Sequence, residues 1–146
     1  MKILGLDYGS TTIGTALTDE LLITSQPYET ITREKENHLR RSFARIREII
    51  QENDVGLIVV GNPLTIDGNE GERSQLTKEF AVTLENKTGI RTVMQDERLT
   101  TVEADEIMQK MGIPAGERKK NIDSIAASII LRDYMNANRI GEITNG

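Results

Sequence analysis

The sequence predicts an α/β domain built on a mixed five-stranded sheet with helices on both faces. Three observations lead there. Two β-rich segments near the N-terminus are joined by a connection too short for anything but an antiparallel hairpin. Two later strand-like runs, 57–60 and 90–95, each follow a helical segment, as right-handed crossovers require. At 146 residues the chain is one domain, long enough to bury roughly 68–70% of its unfolded surface.

Residues 2–7 read as a buried strand, and 12–19 as its hairpin partner across Tyr8-Gly9-Ser10-Thr11. Gly9 lets the chain reverse without a Cβ clash. A third strand near 22–31 carries Ile23 and Ile31, and its Pro27 suits a sheet edge. Residues 34–52 form a helix, with Leu39, Phe43, Ile46, Ile49 and Ile50 at helical spacing. Leu57-Ile58-Val59-Val60 is short, apolar and β-branched, hence a buried strand. A loop at 61–71 leads into a helix near 72–87, and 90–95 is the next strand. Thr100-Thr101-Val102-Glu103 is a capping box for a helix bearing Ala104, Ile107, Met108 and Met111. Gly112-Ile113-Pro114 ends it, and 121–136 is the last helix. The domain spans 1–138, and 139–146 reads as a flexible tail.

The absence of cysteine excludes disulfides, thiolate nucleophiles and cysteine zinc clusters. The N-terminal apolar stretch before Asp7 is too short for a signal or a membrane span, so a cytoplasmic protein with no membrane partner is expected. The net charge of −5 opposes binding to phosphate. Local basic patches at Arg40-Arg41, Arg45 and Arg47 and at Arg118-Lys119-Lys120 offset this.

Four acids are hard to explain as structure. Asp7 ends the first strand, and Asp96 and Glu97 end a later one. Asp123 stands at the start of the last helix, on the face of Ala126, Ala127 and Ile130. Turn chemistry accounts for an Asp-x-Gly, and a helix dipole for one acid at a helix start. Neither accounts for four acids at places the topology brings together. Clustered carboxylates suit a hard divalent cation, which can drive phosphoryl transfer. The 61–71 loop, with Asn62, Asp67 and Gly68, offers backbone amides for a phosphate at a helix start. It is no Walker loop, because no Gly-Lys-Ser/Thr follows. Gly9, Arg98, Arg118 and Lys119 complete the candidate substrate contacts.

Four motifs together resemble the YqgF family, also called RuvX or Holliday-junction-resolvase-like. They are Leu6-Asp7-Tyr8-Gly9 with Ile13-Gly14-x-Ala16, Gly61-x-Pro63-Leu64-x-x-Asp67-Gly68-x-Glu70-Gly71, Asp96-Glu97-Arg98-Leu99-Thr100-Thr101, and Asp123-Ser124-x-Ala126-Ala127. They cover nearly the whole chain in order. The resemblance implies a ribonuclease H-like fold and a two-metal-ion endonuclease (a hydrolase) using Mg2+ or Mn2+. It implies Asp7, Glu97 and Asp123 as catalytic metal ligands, with Asp96 left open. It implies processing of pre-16S rRNA in ribosome biogenesis, with Holliday junctions in DNA as the alternative substrate. A non-catalytic RNA-binding assembly factor is a further alternative, and the oligomeric state is open between monomer and homodimer. One departure stands out: Thr11-Thr12 replaces a Lys-Arg pair usual in the family. That turn also resembles the phosphate-binding hairpin of actin-like ATPases and sugar kinases, but those close two such domains on a nucleotide, and one domain cannot.

Overall fold

The computed structural model describes residues 1–65, 67–97 and 100–138, and of residues 100–104 and 117–120 the backbone alone. The strands are β1 (Lys2–Tyr8), β2 (Thr12–Thr18), β3 (Ser25–Thr32), β4 (Val55–Pro63) and β5 (Thr92–Glu97). The helices are α1 (Arg40–Asn53), α2 (Glu72–Thr88), α3 (Thr100–Lys110) and α4 (Ala115–Ala137). The sheet order is β3-β2-β1-β4-β5. The first three strands are an antiparallel meander, while β4 pairs parallel with both β1 and β5. The predicted mixed sheet is therefore present, with β3 and its Pro27 at an edge.

Period-two alternation sorts the side chains between two layers. Leu4, Leu6 and Tyr8 of β1 join Ile58 and Val60 of β4 against Phe43 and Ile46 of α1 and Phe80 and Leu84 of α2. On the other face Ile3, Ala16 and Val59 pack on Ala127, Ile130, Leu131 and Met135 of α4. Each such buried Leu or Ile contributes about 1.5–3 kcal/mol. Helix α3 packs on α4 rather than on the sheet, through Met108 against Ile125, Ala126 and Ile129.

Several boundaries differ from expectation. Helix α1 starts at Arg40, not at 34. Its apolar repeat begins only at Leu39, and the preceding charged residues turn instead, with the His38 N–H donating to the Lys35 carbonyl at 3.0 Å. The third strand starts at Ser25, which leaves Ile23 outside it and exposed. Asp19 bends the chain there, its Oδ1 accepting the Ile23 and Thr24 N–H groups, both at 2.8 Å. Strand β4 runs on to Pro63, so Gly61, Asn62 and Pro63 are strand rather than loop. Strand β5 likewise reaches Glu97, because its parallel pairing with β4 continues to Pro63↔Glu97. Helix α4 starts at Ala115 behind Pro114, six residues earlier than the 121 expected. Its first two turns are polar and carry no apolar period, which begins only at Ile122. Met111 is exposed beyond the end of α3 and not on its packed face. The expected tail, 139–146, and the capping-box side chains lie outside the described residues.

Candidate active site

Three of the four acids share one face of the sheet. Along β1, Gly5 and Asp7 follow Ile3 onto the α4 side. Along β5, Asp96 and Glu97 are adjacent and so point to opposite faces. Glu97 takes the α4 side, where its Cγ would lie 3.1 Å from a Cβ at Gly61 of the intervening strand. Asp123 comes from α4 itself.

Gly14 sets how closely α4 approaches. It lies directly across from Asp7 in the β1–β2 register. A Cβ there would stand 1.9 Å from the Asp123 carbonyl oxygen. Only glycine lets this turn of α4 rest on the strand beside Asp7. Gly5 acts in the same way one register step away, where a Cβ would meet the Ala127 carbonyl at 3.0 Å. Gly61 keeps the ground between Asp7 and Glu97 clear of a side chain, since Leu6 pairs with Val60 and Asp7 follows.

The long α4 changes the reading of Asp123. It is not at the helix start but two turns inside, beyond the first turn where the helix dipole favours an acid. The dipole explanation for this carboxylate therefore fails. Its charge acts on Asp7 instead. The Asp7 carboxyl is pushed up from its ordinary 3.8 to about 7, first by burial, then by the Asp123 charge, with the Arg73 guanidinium opposing. Half-buried carboxylates crowded together in this way are what a bound cation would relieve.

Asp96 faces the other way. Its Oδ1 accepts from Asn62 Nδ2 at 3.0 Å, and Asn62 Oδ1 accepts from the Ser74 hydroxyl at 2.5 Å. Asn62 is buried, and its Nδ2 also reaches Glu70 at 3.4 Å. Glu70, paired with Lys78, is held below the usual carboxylate range by that ammonium. This network ties β4 and β5 to α2 on the face opposite Asp7. Asn62, expected to contact substrate, is thus engaged in structure, and Asp96 lies away from the acid cluster.

Of the other candidates, Gly9 is in the turn after Asp7, its N–H donating to the Thr12 carbonyl at 2.8 Å. Asp67 is exposed, and Gly68 adopts φ 84°, its N–H donating to the Thr65 carbonyl at 2.8 Å. Arg98 and the side chains of Arg118 and Lys119 lie outside the described residues. Two arginines that the sequence did not single out flank the turn after Asp7. Arg33 Nη2 donates to the Gly9 carbonyl at 2.6 Å, and Arg73 Nη2 to the Tyr8 carbonyl at 3.3 Å. Both guanidinium carbons lie 5.0 Å from the centre of the Tyr8 ring, which stacks on Phe80 at 4.1 Å. Arg73 also pairs with Glu36. These contacts join residues 24 and 65 positions apart, so no local pattern announces them.

Among the described residues, no group of three or more acidic, histidine or cysteine side chains stands in metal-holding geometry. The donor chemistry nevertheless fits a hard divalent cation, since Asp7, Glu97 and Asp123 offer only carboxylate oxygen and Asp7 is partly desolvated.

The β3-β2-β1-β4-β5 sheet, with α4 laid across β1 and acids at the strand ends, defines a ribonuclease H-like protein. A solved structure described as T. thermophilus RuvC in complex with Holliday junction substrate shares this fold at a TM-score of 0.55 and 13% identity, over 94% of this chain and 96% of that one. The chain belongs to the RuvX family, described as Holliday junction resolvase, which it matches over residues 1–137. A protein of Lachnospira eligens named "Putative pre-16S rRNA nuclease" is 53% identical over 135 residues, 92% of this chain and 96% of that one. One of the same name from Agathobacter rectalis is 49% identical over 135 residues, 92% of this chain and 94% of that one.

Proposed function

We propose that this chain is a metal-dependent endonuclease acting on structured RNA, with maturation of pre-16S rRNA as its task. The observation that carries this reading is the gathering of Asp7, Glu97 and Asp123 on one sheet face, with Asp123 close enough to raise the Asp7 carboxyl. The names of the relatives from L. eligens and A. rectalis supply the substrate. Asp7, Glu97 and Asp123 would hold two Mg2+ or Mn2+ ions, which supply Lewis acidity and an activated water for in-line attack on a phosphate. Asp7 must be ionised to hold a cation, so metal binding competes with its proton. Gly14 fixes the Asp123 backbone against β1, so the two carboxylates are held by packed elements rather than by a loop. Arg33 and Arg73 bring positive charge to the turn beside Asp7, where a phosphate backbone would pass. Asp67 and Gly68, in the loop that follows β4, would steady the substrate strand.

A four-way DNA junction is the second reading, favoured by the family's own description. Purified protein incubated with precursor small-subunit rRNA and with a four-way junction, with and without Mn2+, separates the two. Mn2+-dependent cleavage of the rRNA alone is expected. Cleavage of the junction alone would move the substrate to DNA, and binding of the rRNA without cleavage would make the chain an assembly factor.

A further inference from the structure

A cleft of about 790 Å3 opens between the end of β3 and the start of α1. Arg33, Arg40, Arg41 and His38 line it, with Glu34 as the one acidic residue of the lining. Three arginines against one acid is a local excess of positive charge in a chain of net charge −5.

The arginines of this region divide by use. Arg45 forks onto Glu29 at 2.6 and 3.0 Å, and Arg47 donates to the Lys87 carbonyl at 3.0 Å. Both fasten α1 to its neighbours. Arg40 and Arg41 are exposed and make no ion pair among the described residues. They occupy the first turn of α1, where no acid accompanies them. Two cations there oppose both the helix dipole and each other, so stability does not explain them. An anion in the cleft would relieve both conflicts. Arg33, half-buried at the rim of the cleft, adds a third positive charge and is fixed in place, its Nε donating to the Glu36 carbonyl at 3.1 Å. Its Nη2 meanwhile holds the Gly9 carbonyl, two residues after Asp7. One guanidinium thus joins the cleft to the turn beside the acid cluster.

We infer that this cleft takes the phosphodiester backbone of the substrate strand that flanks the cleavage point, so that the strand crosses the end of the sheet from the Asp7 face to the start of α1. The inference rests on the nuclease reading of the Asp7 site. It makes Arg40 and Arg41 substrate-binding residues on a helix remote from the acids in sequence.

The test is binding of a labelled RNA hairpin with a single-stranded extension, in EDTA so that nothing is cut, across a salt series. Arg40→Gln with Arg41→Gln keeps most of each stem and removes two charges. Lys2→Gln with Arg91→Gln makes the same charge change at the opposite end of the parallel strands. The Arg40/Arg41 pair should weaken binding and lower the slope of log K against log salt by about 1.4, the loss of two single-strand phosphate contacts. The Lys2/Arg91 pair should leave the slope unchanged. An unchanged slope in the first pair, or an equal fall in both, overturns the inference. Cleavage of the same RNA with Mn2+ keeps the readings apart. Wild-type cleavage with no slope difference removes only the cleft. A slope difference without any cleavage removes only the nuclease, and a wild type that binds no RNA removes both.

Discussion

The Asp7 carboxyl is pushed well above its ordinary range, and the sign of that effect can be followed through. Its carboxyl titrates near 7 in the fold and near 3.8 when ordinary. Between those values the folded state keeps a proton that the unfolded chain has lost, so stability falls as pH rises. The full contribution is present below the lower value and is gone above the upper one, with a slope of up to about 1.4 kcal/mol per pH unit. Urea unfolding of the metal-free protein should show this decline, and Asp7→Asn should flatten it while raising stability at neutral pH. A mutant with the wild-type pH dependence would place the titration elsewhere. The turn after Asp7 gives a second prediction. Thr11→Lys with Thr12→Arg should tighten nucleic-acid binding and steepen its salt slope by about 0.7–0.9 per added phosphate contact. Filter binding across a salt series reads this, with an ATP-binding control for the kinase-like hairpin. An unchanged slope would mean the turn faces away from the phosphate backbone.

At the scale of elements, the contact between α4 and β1–β2 decides whether there is a site at all. A methyl group at Gly14 has no space, because the Asp123 carbonyl stands 1.9 Å from where it would be. Gly14→Ala should therefore destabilise by about 1–3 kcal/mol or more through overpacking. It should also push Asp123 away from Asp7, so the neutral-pH titration of Asp7 should move toward the ordinary carboxylate range. Thermal melting and NMR titration of the carboxyl would check the two effects separately. The role of Gly14 was not legible from the chain, where it is one glycine in a strand. What was legible was Asp123 among small and apolar residues, because helical spacing puts it on the packed face. The length of α4 was not, since its first two turns are polar and their helical state depends on Pro114 and on packing further along. Strand ends escaped for a related reason. The apolar run stops at Val60, while backbone pairing carries β4 on to Pro63.

For the whole molecule, the topology followed from connection lengths and crossover handedness, both of which are sequence properties. The convergence of Asp7 and Glu97 at the strand ends followed from that topology. The opposite facing of Asp96 needs only the two-residue period once β5 is known to include it. Contacts over long separations were beyond reach, as with Arg33 at the Gly9 carbonyl and Arg73 at the Tyr8 carbonyl. Among the described residues no helix is long and apolar enough to cross a membrane. Whole-molecule stability should report the acids as a group. Millimolar Mn2+ should raise the melting temperature by mass action, and Glu97→Gln and Asp123→Asn should each reduce that rise. If neither substitution alters metal binding, with nucleic acid present as well, those two carboxylates are not ligands.

The most direct measurement is single-turnover cleavage of precursor small-subunit rRNA in saturating Mn2+ by wild type and by Asp7→Asn. The variant keeps the size of the side chain and removes only its charge, so the fold should stand. Cleavage by the wild type with loss to background in Asp7→Asn is the predicted result. Cleavage by Asp7→Asn at the wild-type rate would contradict the assignment of the strand-end carboxylates as the catalytic centre.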